Sequence, residues 1–272
     1  MIPRSWWVEP NADEAAVYAL LGRDRAWTGY AIADIDEPFR AYARVALAGR
    51  RLPTERGRAE AALLVLRHPD FTAIVTYGPD GGVGAALAAL DARGELPERT
   101  FVMTRLAHRP PLWRFYSRDG HEMLRMVVAR RGFRPPDEPG ILAERLGPAD
   151  LGTLVELYRD YPENVFNREQ LAGGVFYGVR DGRRRLLAAA GTHVLSRRYG
   201  IAAVGSVFTR PEARGRGYGR VVTGAVTADL LDGTCRQVIL NVAPDNAPAR
   251  RVYEGLGFRV HCRYWEGLAA HR

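Results

Sequence analysis

The sequence predicts a mixed α/β protein made of two similar domains, and three observations predict it. Short apolar runs rich in β-branched residues alternate with helix-period patterns along the 272-residue chain. A glycine-rich turn, Gly215-Arg-Gly-Tyr-Gly219, joins one such run to one such helix. A shift of 136 residues lays Gly81 on Gly217, Val102 on Val238 and Leu106 on Val242, with Tyr116 one place short of Tyr253. The length is enough for two domains of about 100–150 residues, each with its own core.

In the first half, Glu14–Gly22 and Arg25–Asp34 carry helical patterns, and Phe39–Leu47, Ala59–Arg67 and Thr72–Tyr77 read as strands. Gly81–Gly84 opens a helix to about Ala92; Phe101–Leu106 is a strand, Pro110–Tyr116 a helix and Glu122–Val128 a strand. Arg130–Gly140, with three prolines, reads as the linker. A domain over 1–135 and a second over 141–272 follow.

In the second half, Ile141–Leu146 reads as a strand and Pro148–Tyr161 as an amphipathic helix, followed by a polar segment with Asn164 and Asn167. Val175–Val179 and Leu186–Leu195 form a hairpin about Asp181-Gly182, so that Arg183–Arg185 becomes its solvated edge. Ile201–Phe208 is a third strand, closed by Pro211. The glycine turn and a helix to about Asp232 come next. Val238–Val242, a helix over Pro244–Leu256 and a strand over Phe258–Trp265 complete the set.

Composition narrows the class. With 47% apolar and 26% charged residues the chain is not expected to be disordered. No run of about 18 apolar residues occurs, and Ser5-Trp-Trp-Val8 gives way at once to Glu9 and Asp13, so a cytoplasmic protein without a membrane partner is expected. Cys235 and Cys262 lack metal-ligand spacing and read as buried thiols, and no metal is expected. All 39 basic residues are arginine; 20 face 18 acids up to residue 140 and 19 face 13 beyond it, so the positive excess lies in the second half. No basic stripe interleaved with aromatics, zinc finger or recognition helix is found, so no nucleic-acid partner is expected.

The glycine turn predicts an anion site. Glycines admit positive φ and close approach of a ligand to the backbone, and the amides of the turn and of the helix behind it converge on one concavity. Arg214, Arg216 and Arg220 surround it with charge. The spacing is G-x-G-x-G, not the dinucleotide fingerprint, and without lysine a Walker-type loop is excluded.

Arg214-x-x-Gly217-x-Gly219 after a strand, followed by Leu240-Asn-Val-Ala-Pro-Asp-Asn246 and then by Tyr253 and Gly257-Phe258, resembles the acyl-CoA motif of the GNAT (GCN5-related N-acetyltransferase) superfamily. The resemblance covers roughly residues 141–267, and its C-terminal half is similar to glycine N-acyltransferases. It implies a mostly antiparallel sheet flanked by helices, here as two tandem copies of which the first is degenerate. It implies acetyl-CoA, or another acyl-CoA, as cosubstrate. The pyrophosphate would lie on the amides of Gly215 to Arg220, with Arg214, Arg216, Gly217, Tyr218 and Gly219 in the turn. Pantetheine would pair along Val207, Phe208 and Thr209. A splayed next strand carrying Asn241 would open the thioester cleft, with Asn246 and Arg250 beyond it. The partners implied are acyl-CoA and an amine, a small molecule rather than a protein.

The resemblance gives Tyr253 the role of supplying a proton to the departing thiolate. Many relatives carry a glutamate on the strand before the turn. Here Ala202–Phe208 offers only Ser206 as a polar side chain. His193 on the neighbouring strand and Glu266 on the last strand are the candidate bases, and an amine that arrives deprotonated is the third possibility. Trp27, Trp113 and Phe115 of the first half are candidates to line the acceptor side. The expected activity is N-acyl transfer by direct attack in a ternary complex; the rival is a catalytically silent acyl-CoA sensor or protein-interaction module.

Overall fold

A computed structural model describes residues 6–51, 56–159, 161 and 166–272; Ser5 and Asn164 lie outside the described residues. The chain divides into two compact units, Met1–Leu124 with Cys262–Arg272, and Arg125–His261.

The first unit opens with β1 (Trp6–Glu9), a strand that the sequence reading left out, antiparallel to β2 (Ala43–Arg51). Between them, α1 (Glu14–Leu21) starts where the Asp13 carboxylate accepts the Ala16 amide. Asp24 does the same for Trp27 at the start of α2 (Arg25–Asp34). The strand expected from Phe39 begins only at Ala43, because a 3₁₀ turn occupies Arg40–Tyr42. β3 (Arg56–Arg67), β4 (Thr72–Tyr77), α3 (Asp80–Asp91) and β5 (Arg99–Arg105) follow. α4 (Arg109–Leu112) is shorter than expected, and β6 (His121–Ala129) ends the succession. Strands β1 to β4 are antiparallel in order and β4 pairs β5 in parallel. Trp6, Leu63, Val65, Ile74, Val83, Leu87, Val102 and Tyr116 lie in one core.

The second unit repeats that succession: β7 (Glu144–Leu146), α5 (Leu151–Tyr158), α6 (Arg168–Gly173), β8 (Phe176–Arg180), β9 (Leu186–Ser196), β10 (Ile201–Thr209), α7 (Tyr218–Asp232), β11 (Gln237–Val242), α8 (Ala247–Gly255) and β12 (Arg259–Ala270). β7 to β10 are antiparallel and β10 pairs β11 in parallel. Helix α6 falls where the sequence reading placed only a polar segment. Asn167 and Gln170 cap it reciprocally, each side chain bonding the other's amide. The turn at Asp181 is as expected: its carboxylate accepts the amides of Arg183 and Arg185, and all three arginines are exposed. Both cysteines are buried and neither forms a disulfide.

The division differs from the expected 1–135 and 141–272 because the last strand of each succession straddles the boundary. Arg125–Ala129 of β6 belongs to the second unit, and Cys262–Arg272 to the first. The reason is pairing: Tyr264–Ala270 runs antiparallel to β5, from Tyr264 opposite Arg105 to Ala270 opposite Arg99. The linker residues belong to the second unit and pack along α7 and α8. The Arg134 amide bonds the Leu256 carbonyl, and Pro136 lies against Gly224, where a Cβ would meet it at 2.5 Å.

Candidate functional site

The glycine turn is built as the sequence suggests. After β10 a 3₁₀ turn at Pro211–Ala213 breaks the strand, and the chain reaches α7 through Gly215 at φ +77° and Gly217 at φ +83°. An L side chain is strained at both angles, which is why glycine stands there. Gly217 is the N-cap of the fifteen-residue α7 and supplies no side-chain acceptor to its first amides. Those amides and the positive end of the helix dipole suit an anion. Arg214 and Arg216 are exposed beside them, and the Arg214 Nε donates to the Thr209 carbonyl at 3.2 Å. Arg220 is engaged from the linker, since its Nη1 lies 2.9 Å from Glu138 Oε1. Glu138 is a neighbour that sequence reasoning missed; its Cγ would be 3.2 Å from a Cβ on Gly217.

The cleft follows from strand pairing. β10 and β11 are in register from Ile201 opposite Gln237 to Val204 opposite Leu240, and there the ladder stops. β10 runs on to Thr209, and β11 continues through Asn241 and Val242. The two strands therefore part, leaving the stretch with Val207, Phe208 and Thr209 without a β11 partner. Two irregularities mark the parting. On β9 the register jumps from Val194 opposite Ala203 to Thr192 opposite Val204, which leaves His193 as an extra residue; on β10 it jumps between Gly205 and Phe208. The His193 ring lies on Gly205, where a Cβ would meet its Cδ2 at 2.5 Å. Burial there lowers the imidazole pKa from 6.5 to about 4, so near neutral pH the ring is uncharged.

Aromatic rings gather around this point. Tyr161 stacks on Phe208 with centroids 5.4 Å apart, Tyr253 meets Phe258 edge-on at 6.2 Å, and Tyr158 contacts Phe166 at 5.1 Å. Tyr253 is 7% exposed, and burial, with Tyr161 adding to it, pushes its phenol well above the usual range. It is thus a hydrogen-bond donor and not a base. Tyr158 and Tyr161 carried no role in the sequence reading, although their i, i+3 spacing at the end of a helix was a signal for a shared face. Asn246 is the N-cap of α8, its Oδ1 accepting the Ala249 amide at 3.1 Å, which is why the helix starts three residues after Pro244. Arg250 points back along its own element, donating to the Pro244 carbonyl and lying 3.4 Å from Glu254.

Several candidates fall in the first unit. Glu266 lies in the part of β12 that pairs with β5, and its carboxylate accepts the Tyr264 hydroxyl at 2.5 Å. Trp27 is a core residue whose indole donates to the Thr76 carbonyl, Phe115 packs on the core, and Trp113 lies between the guanidinium groups of Arg109 and Arg118.

The first unit also repeats the parting. The β4–β5 ladder ends at Val75 opposite Met103, two residues before either strand does. Here, however, side chains bridge the parted ends. His108 Nε2 lies 2.7 Å from the Gly78 carbonyl, which can only accept, so Nε2 carries the proton. Burial lowers the His108 pKa, keeping the ring neutral, so Nδ1 accepts from Thr76 Oγ1 at 2.8 Å. Thr104 Oγ1 then donates to Thr76 at 2.8 Å. At the start of α3 the Asp80 carboxylate accepts the Gly81 amide, whereas Glu138 at the start of α7 is turned to the Arg220 guanidinium. Tyr116, the residue aligned closest to Tyr253, donates its hydroxyl to the Pro97 carbonyl.

No helix of the described residues is long and apolar enough to cross a membrane, and among them no three His, Cys, Asp or Glu side chains are placed to hold a metal ion. Comparison with known proteins bears on the same elements. The FR47-like protein family matches residues 176–266, from β8 into β12. A mycothiol acetyltransferase of Tsukamurella paurometabola is 29% identical, over 94% of this chain and 96% of its own. A solved structure from Novosphingobium aromaticivorans, assigned to the GNAT family of acetyltransferases, is 25% identical with a TM-score of 0.52, covering 73% of this chain and 84% of its own. A tandem GNAT protein of the clavulanic acid biosynthesis pathway has the same fold across 98% of both chains, with a TM-score of 0.56 at 14% identity. Residues 176–266 thus match the FR47-like family, and the repeated succession with its parted strands beside a glycine turn is the fold of these GNAT structures.

Proposed function

We propose that the second unit transfers an acetyl group from acetyl-CoA to the amine of a small molecule by direct attack in a ternary complex. The observation that carries this reading is the parting of β10 and β11 beyond Val204 and Leu240, next to the uncapped start of α7. An extended pantetheine arm can add to the open edge of β10, with the pyrophosphate on the amides of Gly215 to Arg220. The turn suits that anion, since Gly215 and Gly217 hold positive φ and the N-cap of α7 makes no side-chain cap bond. Holding both reactants in one cleft supplies much of the rate. Tyr253 donates its hydroxyl to the sulfur as the C–S bond breaks. His193, uncharged and beside the cleft, is the base of this scheme, and an amine that arrives deprotonated needs it least. The Tsukamurella relative is named for mycothiol, which supports a small acceptor over a protein.

The first unit, in this reading, is a degenerate copy without an acyl-CoA site. CoA release from acetyl-CoA, measured across amines, amino acids, amino sugars, aminoglycosides and peptides against a no-acceptor control, tests the whole. Release with one class is expected. Binding of acetyl-CoA with no transfer to any acceptor would favour the silent sensor, and no binding at all would end both readings.

A further inference from the structure

Ser206 stands out on β10, and what it offers deepens the acetyltransferase reading on which it rests. Its backbone sits at φ +50°, a left-handed conformation that costs a serine energy unless the surroundings impose it. Its side chain belongs to a residue only 5% exposed, and the hydroxyl has no hydrogen-bond partner among the described protein atoms. A buried hydroxyl left so is uncommon and is itself a cost. Both features fall one residue after Gly205, inside the register jump of β10 and past the last β11 pair.

The rest of this stretch is already committed. The Tyr158 hydroxyl donates to the Ser206 carbonyl at 2.6 Å, and burial keeps that phenol protonated by pushing its pKa far up. The Thr209 carbonyl accepts from Arg214. No carboxylate occurs on β10, whose sequence from Ile201 is Ala-Ala-Val-Gly-Ser-Val-Phe-Thr. An attacking amine needs an acceptor for its N–H to keep its lone pair on the thioester carbon. Of the two hydroxyls on this stretch, that of Thr209 lies against Gly219 of the turn, where a Cβ would meet it at 3.3 Å, which leaves Ser206 as the acceptor at the bulge.

We propose that Ser206 touches the reacting groups, its hydroxyl accepting a hydrogen bond from the attacking amine, and that Tyr158 is the positioning residue that fixes the backbone presenting it. The nitrogen attacks the thioester carbon, the C–N bond forms and the C–S bond breaks. The sulfur takes the electron pair and a proton, and the proton that the amine sheds passes to His193 or to solvent. Ser206 orients the amine and takes no proton, since a hydroxyl is far too weak a base.

The test uses the full chain, acetyl-CoA and the best acceptor of the panel above. It compares wild type with Ser206→Ala, Ser206→Gly, Tyr158→Phe and the Ser206→Ala/Tyr158→Phe double variant, reading kcat, acceptor KM and acetyl-CoA affinity. Ser206→Ala should lose roughly 10–100-fold in kcat with acetyl-CoA affinity within about twofold of wild type. Ser206→Gly relaxes the backbone yet should lose as much, because the hydroxyl is gone. Tyr158→Phe should cost about tenfold alone and almost nothing further on top of Ser206→Ala, whereas a merely structural tyrosine would cost the same in both backgrounds. Full kcat in either serine variant, or additive losses, overturns the proposal. A wild-type chain that transfers acetyl to no amine removes the acetyltransferase reading itself, and this inference with it.

Discussion

The buried Tyr253 phenol has its ionisation pushed up by burial and by Tyr161, so at neutral pH it can donate a hydrogen bond and cannot act as a base. A donor this weakly acidic stabilises a thiolate by the bond more than by full proton transfer. Tyr253→Phe should therefore lower kcat roughly 10²-fold, at the low end for a well-placed acid, and leave acetyl-CoA affinity within about twofold. Steady-state rates with calorimetry on the same preparations decide it; an unchanged kcat takes Tyr253 out of the mechanism. Two other buried groups act on stability, in opposite senses. His193 falls from 6.5 to about 4, so below pH 6.5 the unfolded chain takes up a proton that the folded chain refuses. Stability is then lost as pH drops from about 6.5 to 4, by up to about 3 kcal/mol. Asp34, 6% exposed at the end of α2, is raised by burial from 3.8 to about 7. Its folded form holds a proton that the unfolded form has released, so its contribution is present below pH 4 and lost as pH rises through 7, by up to about 4 kcal/mol. Denaturant unfolding from pH 4 to 8 should show Asp34→Asn raising stability most at pH 7 and above, and His193→Gln flattening the acid limb. A pH-independent gain from Asp34→Asn would mean that the carboxyl does not titrate there.

At the scale of elements, the start of α7 separates backbone strain from ligand geometry. A Cβ on Gly215 meets nothing within 4 Å, while one on Gly217 meets Glu138 Cγ at 3.2 Å. Both positions have positive φ, so each alanine should cost about 1 kcal/mol or more of stability. Gly217 is also the N-cap whose neighbours hold the proposed pyrophosphate, so Gly217→Ala should weaken acetyl-CoA binding at least about tenfold. Equal affinities in calorimetry of the two variants and wild type would remove the anion from this turn. These elements were legible because each leaves a local mark: β10 a run of small and β-branched residues, the turn its glycines, α8 the capping Asn246. α6 was missed because six residues are too few for a periodic pattern, although Asn167-x-x-Gln170 was the signal to read. β1 was missed because four residues with two tryptophans become a strand only through pairing with β2. The partition of β12 could not be read at all, since its apolar residues suit either unit and only tertiary register sends Tyr264–Ala270 to β5. At the candidate site, the glycine turn, the placing of Tyr253 on α8 and the parted strands were legible. Tyr158, Glu138 and the role proposed for Ser206 were not, because a hydrogen bond to a bulge carbonyl and a linker ion pair join residues 48 and 82 positions apart.

Across the whole molecule, the same succession of elements occurs twice, and each copy parts its parallel strand pair near the start of a helix. What differs is how the parted ends are satisfied. In the first unit, Thr104, Thr76 and His108 form a chain of hydrogen bonds ending on the Gly78 carbonyl, and the Asp80 carboxylate accepts the Gly81 amide in the first turn of α3. An incoming pantetheine would have to break that chain and leave buried hydroxyls unpaired, and a pyrophosphate would meet the Asp80 carboxylate at the helix start. In the second unit the Gly217 N-cap of α7 makes no side-chain cap bond, and the Glu138 carboxylate beside it is paired with Arg220. One acetyl-CoA should therefore bind per chain. Calorimetric titration of the full chain should give a stoichiometry near one, and Gly217→Ala should remove or weaken that single event without uncovering another. A stoichiometry near two, or a residual site of unchanged affinity in Gly217→Ala, would mean that the first unit also takes the ligand. Opening the bridge with Thr76→Val should lower stability, by roughly 1–3 kcal/mol for a broken buried network, and still add no second site, because Asp80 remains at the helix that would have to receive the phosphates.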